Sequence, residues 1–554
     1  MSTSLKDFFR GLQEAVKKSS QSVGFDNRGP SPRSKGNPPP PFTPLCKNKA
    51  SGKVDITNTF DRFLNSDRYQ YTECGVYLAR GMQNHTAIFD CFFRKTEDGG
   101  LAVVAGIETM LELVKMLNYT SPEIKRTTFA SVIDEPELLD YLCGLTFKGN
   151  IYAMPEGEIA FPFEPVVIIE GELIAAKIIE TPMLNAINYQ MAIASKASRI
   201  TRAAHPAGVL AFGPRRAHGY DAALYGTKSA LIGGCDGHSS LAVQQHYGVY
   251  ATGSMSHSYI QSFGVGRESE LEAFDAFVKH RVAVKASSIF LLVDTYDTLN
   301  SGIKAAVEVF KKYKLEAMGV TFGVRLDSGD LAYLSKKCRE VLNMAGLTKA
   351  QIVLSNGLTE ETIVSLRAQG ASFDVIGVGD SIATSKDRPC FGGVYKLVEM
   401  GGSSVIKVSE DLIKTLTPGH KMVWRIYVGG EARADLITLA NNDSDVVKLM
   451  AGETITITDE VNRFNTTTFE AGTYTARKLL LPMVINGVVT PEGLAQTELL
   501  KSKERYTAEL ARFSDEHKRL TNPHKYKVNL SQDLYDSKQS LMKQVKGSIE
   551  STAT

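Results

Sequence analysis

The chain has 554 residues, with 63 basic against 61 acidic side chains and a formal net charge of +2. So even a balance gives no extended field for nucleic acid or an anionic membrane, and a phosphate site would be basic only locally. The length exceeds one ordinary core and implies two folded domains with tails. Seven scattered cysteines without a CxxC pair speak against a disulfide framework or structural zinc, and they fit a reducing, cytoplasmic compartment. No apolar run approaches the roughly 20 residues of a membrane span, and the N-terminus lacks the apolar core of a secretory signal.

Residues 5 to 17 place Leu5, Phe8, Phe9, Leu12 and Val16 on one helical face. Asp7 and Glu14 favour a docking or solvated helix there over a mitochondrial presequence. The stretch 18–52, rich in Ser, Gly, Pro, Lys and Asn, cannot bury enough apolar surface to offset the entropy of ordering, so 1–52 reads as a disordered extension. Folded sequence begins near Val54 with a loop and an amphipathic helix. A strand is expected over 86–95, helices near 106–118 and 135–143, and Pro- and Gly-broken strands over 150–179, which together suggest an α+β domain over 53–180.

From Glu180 helices alternate with short apolar strands at 290–293, 319–326, 351–356 and 373–379. This spacing implies parallel strands with right-handed crossovers, closed most naturally as a barrel over 181–400. Residues 401–541 read as a β-rich and helical part, with ETITITDEVNRF (453–464) as its clearest strand pair, and 542–554 as a tail.

Four segments carry chemistry: FGPRRAHG (212–219), GSMSHS (253–258), LLVDTYDT (291–298) and GVRLDSGDL (323–331). Each puts Arg, His or Asp beside Gly at the end of an apolar run, where an α/β barrel gathers its active-site groups. Arg325 and Asp327 lie two apart and share one strand face, so a guanidinium suited to a carboxylate stands beside a carboxylate suited to a sugar diol. A surface Arg–Asp pair at a turn would look the same. Asp294 and Asp297 could hold Mg²⁺ on a pyrophosphate or merely cap a helix. Gly377, Gly379, Gly392 and Gly393 allow backbone amides to approach a phosphate, and the Arg215–Arg216 doublet is either a phosphate ligand or a solvated pair. His257 follows a small-residue turn after a short strand, VYAT. There it is either a nucleophile toward phosphoryl groups or a histidine hydrogen-bonded to backbone.

These segments, in order with Tyr69–Gln70, MPEGEIAFPFEP (154–165), ETPMLNAIN (180–188), GGCDGHSS (233–240), SNG (355–357) and GGVYKL (392–397), resemble nicotinate phosphoribosyltransferase across roughly residues 60–400. The resemblance implies an irregular α/β barrel with a flanking α+β domain built from both ends of the chain, residues 401–541 packing on the N-terminal domain. It further implies a homodimer with shared active sites. The activity it implies is ATP-coupled transfer of the 5-phosphoribosyl group from phosphoribosyl diphosphate to nicotinate, with Mg²⁺. On this resemblance His257 is the histidine phosphorylated by ATP, Arg325 and Ser254 contact nicotinate, and Tyr69 stacks on the pyridine ring from the partner subunit. Asp327 and Asn356 touch the ribose, and the loops around Gly379 and Gly393 hold phosphate. Asp294 and Asp297 are the candidate metal ligands, and Arg215, Gly357 and Asp380 further candidate substrate contacts.

The chain departs from that family at three places: Ser254 and Asp380 stand where the relatives place Thr, and Ser240 where they place Asn. A carboxylate at 380 repels phosphate unless it binds through Mg²⁺ or offers only its backbone N–H. A nicotinamide-specific enzyme would place a carboxylate at Ser239, so the hydroxyl favours nicotinate, although Asp236 lies close by. A non-catalytic relative would be marked by Asp380 and Ser240. Retention of Arg325, Asp327 and His257 argues against it.

Overall fold

A computed structural model describes residues 59–96, 100–409 and 415–552; the expected N-terminal extension, with its helical face at 5–17, lies outside them. The chain divides into two compact units. In its described part, one comprises residues 196–387 and the other residues 59–195 with 388–552. The boundaries fall at 195/196, inside the helix Glu180–Ala204, and at 387/388, rather than at the composition changes near 180 and 400.

The unit 196–387 is built on six parallel strands in the order Gly237–His238, Gly208–Ala211, Val375–Val378, Gln351–Ser355, Thr321–Leu326 and Ser288–Leu292. Among the described residues no pairing joins the first strand to the last, so this curled sheet is an open, irregular α/β barrel. Helices such as Ile303–Lys312 and Leu331–Met344 connect the strands, as parallel pairing requires. The expected strand VYAT does not form. Gly248, at φ +69°, ends the helix Leu241–Tyr247, and the following backbone finds other partners: Ala251 N–H donates to Gln244 Oε1 at 2.9 Å and Thr252 N–H to the His238 carbonyl at 2.6 Å.

In the other unit a seven-stranded antiparallel sheet interleaves early and late chain. Gly393–Met400 pairs with Thr86–Phe93, and Leu481–Ile485 with Asn150–Ala153. A further six-stranded sheet, all of it from residues 421–530, carries the pair Ile455–Thr458 with Thr466–Phe469. The second strand of that pair lies just beyond the expected segment.

Three local readings change. Leu173–Ile178 is a helix rather than strand, in keeping with its Leu, Ala and Lys content. Pro122–Phe129 is an additional helix, started by Ser121 and by proline in its first turn. The expected tail at 542–554 is occupied to Thr552 by the helix Gln532–Thr552.

Candidate active site

Side chains alternate along a strand, so the register of the parallel sheet fixes what shares a face. Phe290 stands opposite Gly323, Val353 opposite both Arg325 and Val375, and Leu210 opposite both Gly377 and Gly237. Of these, Leu210, Gly237, Phe290, Arg325, Val353 and Val375 line a cavity together with Phe212, Tyr250 and Ser254. At two glycines on this face a side chain would collide. A Cβ on Gly377 would lie 2.4 Å from the Phe212 ring, and one on Gly323 would lie 2.0 Å from the Gln351 carbonyl oxygen. The first clears room for Phe212, whose ring centre lies 5.9 Å from the Arg325 guanidinium, within cation–π reach.

Arg325 is oriented from two sides. Its Nε donates to Ser355 Oγ at 2.8 Å and its Nη2 to Asp327 Oδ1 at 2.8 Å, and Ser355 also donates to Asp327 Oδ1. A guanidinium has five N–H donors, so donors remain for a ligand in the cavity. Burial alone would raise the Asp327 carboxyl; the Ser355 hydroxyl and the Arg325 charge outweigh it and hold the group below the usual carboxylate range. Asp327 is therefore ionised at neutral pH.

Asp294 ends the neighbouring strand. Its Oδ2 accepts from Asp327 N–H and from Ser328 Oγ, both at 2.7 Å, which fixes the turn after Arg325. Its side chain is only 2% exposed, and Oδ1 has no hydrogen-bond partner. His257, in the first turn of the short helix His257–Gln261, meets Thr295 Oγ1 through Nδ1 at 3.0 Å. Its Nε2 lies 3.8 Å from both Asp294 Oδ1 and Asp327 Oδ2. Four chain segments thus converge on a guanidinium, two carboxylates and an imidazole.

Other expected residues are placed as follows. Ser254 lines the cavity beside Arg325. Asn356 and Gly357 form an exposed turn with positive φ, +89° and +60°, at the end of Gln351–Ser355. The helix that follows, Glu360–Ala368, is anchored at its start by Glu360, which accepts from buried Lys196 at 2.7 Å and from Arg199 at 2.9 Å. Gly379 and Asp380 follow Val375–Val378, and Arg215 and Arg216 follow Gly208–Ala211, so both pairs emerge at the same end of adjacent strands as Asp327 and Asp294.

Two expected residues already have partners. Asp297 caps a helix: its Oδ1 accepts from Leu299 and Asn300 N–H and its Oδ2 from Asn300 Nδ2. The Gly393 N–H is donated to Asn188 Oδ1 at 2.6 Å and is not free for a phosphate. Tyr69 belongs to the other compact unit, on the helix Arg68–Ala79. Its ring is 45% exposed and its hydroxyl donates to Glu180 at 3.0 Å; burial, followed by the Glu180 charge, pushes its pKa up to about 12.

Sequence reasoning passed over Ser355, Phe212 and Thr295 as working residues. Ser355 reaches Arg325 only through parallel register, which a single strand does not reveal. Thr295 had a signal, being the neighbour of Asp294.

The chain matches family models for the nicotinate phosphoribosyltransferase N-terminal domain over residues 64–188 and the C-terminal domain over 420–538. It is 35% identical to nicotinate phosphoribosyltransferase of Bacillus subtilis, over 88% of this chain and 96% of the relative. With the Dictyostelium discoideum protein of the same name it shares 30% identity over 89% of this chain and 90% of that one. The crystal structure of human nicotinic acid phosphoribosyltransferase superposes with a TM-score of 0.71 at 26% identity, covering 86% of this chain and 99% of the human one.

Proposed function

The chain belongs to the nicotinate phosphoribosyltransferase family, and from that premise we infer that it transfers the 5-phosphoribosyl group of phosphoribosyl diphosphate to nicotinate. The products are nicotinate mononucleotide and pyrophosphate, in NAD salvage. One observation carries the choice of acceptor: Arg325, braced by Ser355 and Asp327, lines a cavity with apolar walls beside Ser254. A planar guanidinium matches both oxygens of a carboxylate, and apolar walls suit a pyridine ring.

Pyrophosphate leaves C1 of the ribose through an oxocarbenium-like state. Asp327, held ionised, is placed to stabilise it and to bind the ribose hydroxyls with Asn356. The ring nitrogen of nicotinate then attacks C1. The donor set also fits Mg²⁺: Asp294 Oδ1 is a buried carboxylate oxygen without a partner, and Asp327 Oδ2 is a second oxygen facing the same imidazole nitrogen. Mg²⁺ takes one or two carboxylates together with substrate phosphates. Asp294 and Asp327 would hold it, and it would supply positive charge to the departing pyrophosphate.

His257 is the acceptor of the ATP γ-phosphoryl group that couples hydrolysis to transfer. The contact of Nδ1 with Thr295 Oγ1 suits the tautomer that carries its proton on Nδ1, in which Nε2 has the lone pair for attack. Arg215, Gly357 and Gly379 bind the phosphates of phosphoribosyl diphosphate, Tyr69 stacks on nicotinate from the partner subunit of a homodimer, and the enzyme works in the cytoplasm. No helix among the described residues is long and apolar enough to cross a membrane. Steady-state assays with nicotinate and nicotinamide, each with phosphoribosyl diphosphate and with or without ATP, test the reading. Nicotinate should give the higher kcat/KM, raised further by ATP; preference for nicotinamide would overturn it.

A further inference from the structure

Two glycine-bearing loops leave the sheet side by side, 212–216 after Gly208–Ala211 and 379–384 after Val375–Val378. They are locked together. Phe212 N–H donates to the Val378 carbonyl at 2.8 Å, and a Cβ on Gly213 would lie 2.6 Å from Ala383 Cβ and 3.2 Å from the Gly379 carbonyl oxygen. Across them Arg216 Nε meets Asp380 Oδ1 at 3.0 Å, with the two side chains 54% and 60% exposed. Neighbouring Arg215, also exposed, makes no hydrogen bond or ion pair with any described residue. The arginine doublet thus presents one free guanidinium and one already neutralised.

We propose that Asp380 is a built-in counter-ion for Arg216 that sets how tightly these loops hold a phosphoryl anion. The proposal rests on the transferase reading, because it takes the phosphates of phosphoribosyl diphosphate as the anion in question. A carboxylate and a phosphoryl group offer a guanidinium the same paired oxygens, so each competes for Arg216. An ion pair this exposed is weak and exchangeable, so Asp380 tunes the site rather than closing it. Bound phosphate takes over Arg216 and leaves Asp380 as a like charge beside it, unless a cation bridges them. Phosphoribosyl diphosphate is therefore bound less tightly, and released pyrophosphate leaves more readily, than the arginine doublet alone would dictate.

Asp380→Asn and Asp380→Thr, Arg216→Ala, and the Arg216→Ala/Asp380→Asn double variant test this on the full chain. The readouts are the KM for phosphoribosyl diphosphate and, by calorimetry, the Kd for inorganic pyrophosphate with Mg²⁺. Removing the carboxylate should lower both roughly five-fold, the scale of an exposed charge pair, while the KM for nicotinate stays unchanged. The gain should shrink at high ionic strength and be clearly smaller in the Arg216→Ala background, where only the like-charge repulsion is left to relieve. Unchanged or weakened pyrophosphate binding on removing Asp380 would overturn the proposal, as would an equal gain without Arg216. If the unaltered protein failed to transfer to nicotinate but its pyrophosphate binding still tightened in the Asp380 variants, the function reading would fall and the counter-ion would stand.

Discussion

Arg325 and His257 carry different parts of the proposed chemistry, and single substitutions separate them. A lysine at 325 is a point charge: it cannot donate to Ser355, to Asp327 and bidentately to a carboxylate at once. Arg325→Lys should lower kcat/KM for nicotinate by the ~1.5–3 kcal/mol of a hydrogen bond to a charged group, about ten- to 150-fold, with the melting temperature nearly kept. Unchanged kinetics would remove Arg325 from the nicotinate site. His257→Ala should abolish ATP hydrolysis and acid-labile phosphate on the protein yet leave slow, ATP-independent transfer, because Arg325 and Asp327 remain. His218, His238 and His246 serve as controls. Buried His238 already uses both ring nitrogens, Nε2 with the Val249 carbonyl and Nδ1 accepting from Ser240 N–H. Acid-labile phosphate persisting on His257→Ala and vanishing from a control would move the role elsewhere.

At the scale of elements, the strands that carry the site were legible because apolar runs ending in charged turns mark the ends of barrel strands. The expected strands at 290–293, 351–356 and 373–379 lie within two residues of Ser288–Leu292, Gln351–Ser355 and Val375–Val378. Pairing was not legible. That Ser355 completes the Arg325–Asp327 triangle depends on a neighbour in register, and that Asp297 caps while Asp294 faces the site depends on where the chain turns into Thr298–Gly302. The same register makes glycine positions on one face unequal. Gly323→Ala drives a Cβ into the Gln351 backbone, which cannot yield, whereas Gly377→Ala meets only the Phe212 ring, which can. Gly323→Ala should therefore cost more than the 1–3 kcal/mol usual for overpacking, or prevent folding. Gly377→Ala should fold with a smaller loss and instead raise the KM for nicotinate, because Phe212 leaves Arg325. Denaturant melts with nicotinate kinetics distinguish the two; equal stability losses would mean that the face yields at both positions.

At the scale of the whole molecule, the unit assembled from both chain ends is joined by buried charge as well as by its shared sheet. Arg425, fully buried, donates to Asp435 through Nε at 2.9 Å and Nη2 at 2.6 Å, and through Nη1 to Glu158 at 2.8 Å, so a late strand grips an early turn. The rings of Phe161, Phe513 and Tyr526 surround the guanidinium at 5.0–6.0 Å. Arg477 takes the other Glu158 oxygen at 2.9 Å. Glu164 is a further buried carboxyl in this cluster. Burial, and then the neighbouring Asp435 carboxylate, push its pKa well above the ordinary 4.5 and favour its protonated form. The sign of the linkage follows. Because the folded value is raised, the contribution of Glu164 to stability is whole below the unfolded pKa. It is lost as the pH rises toward and through the folded pKa, at about 1.4 kcal/mol per pH unit between the two. Glu164→Gln keeps a donor toward Asp435 without a titrating proton. Denaturant unfolding from pH 5 upward should show stability falling with pH in the unaltered protein and a shallower fall in Glu164→Gln, the gap widening toward alkaline pH. Parallel pH profiles would mean that Glu164 is ionised in the fold and that Arg425 balances it.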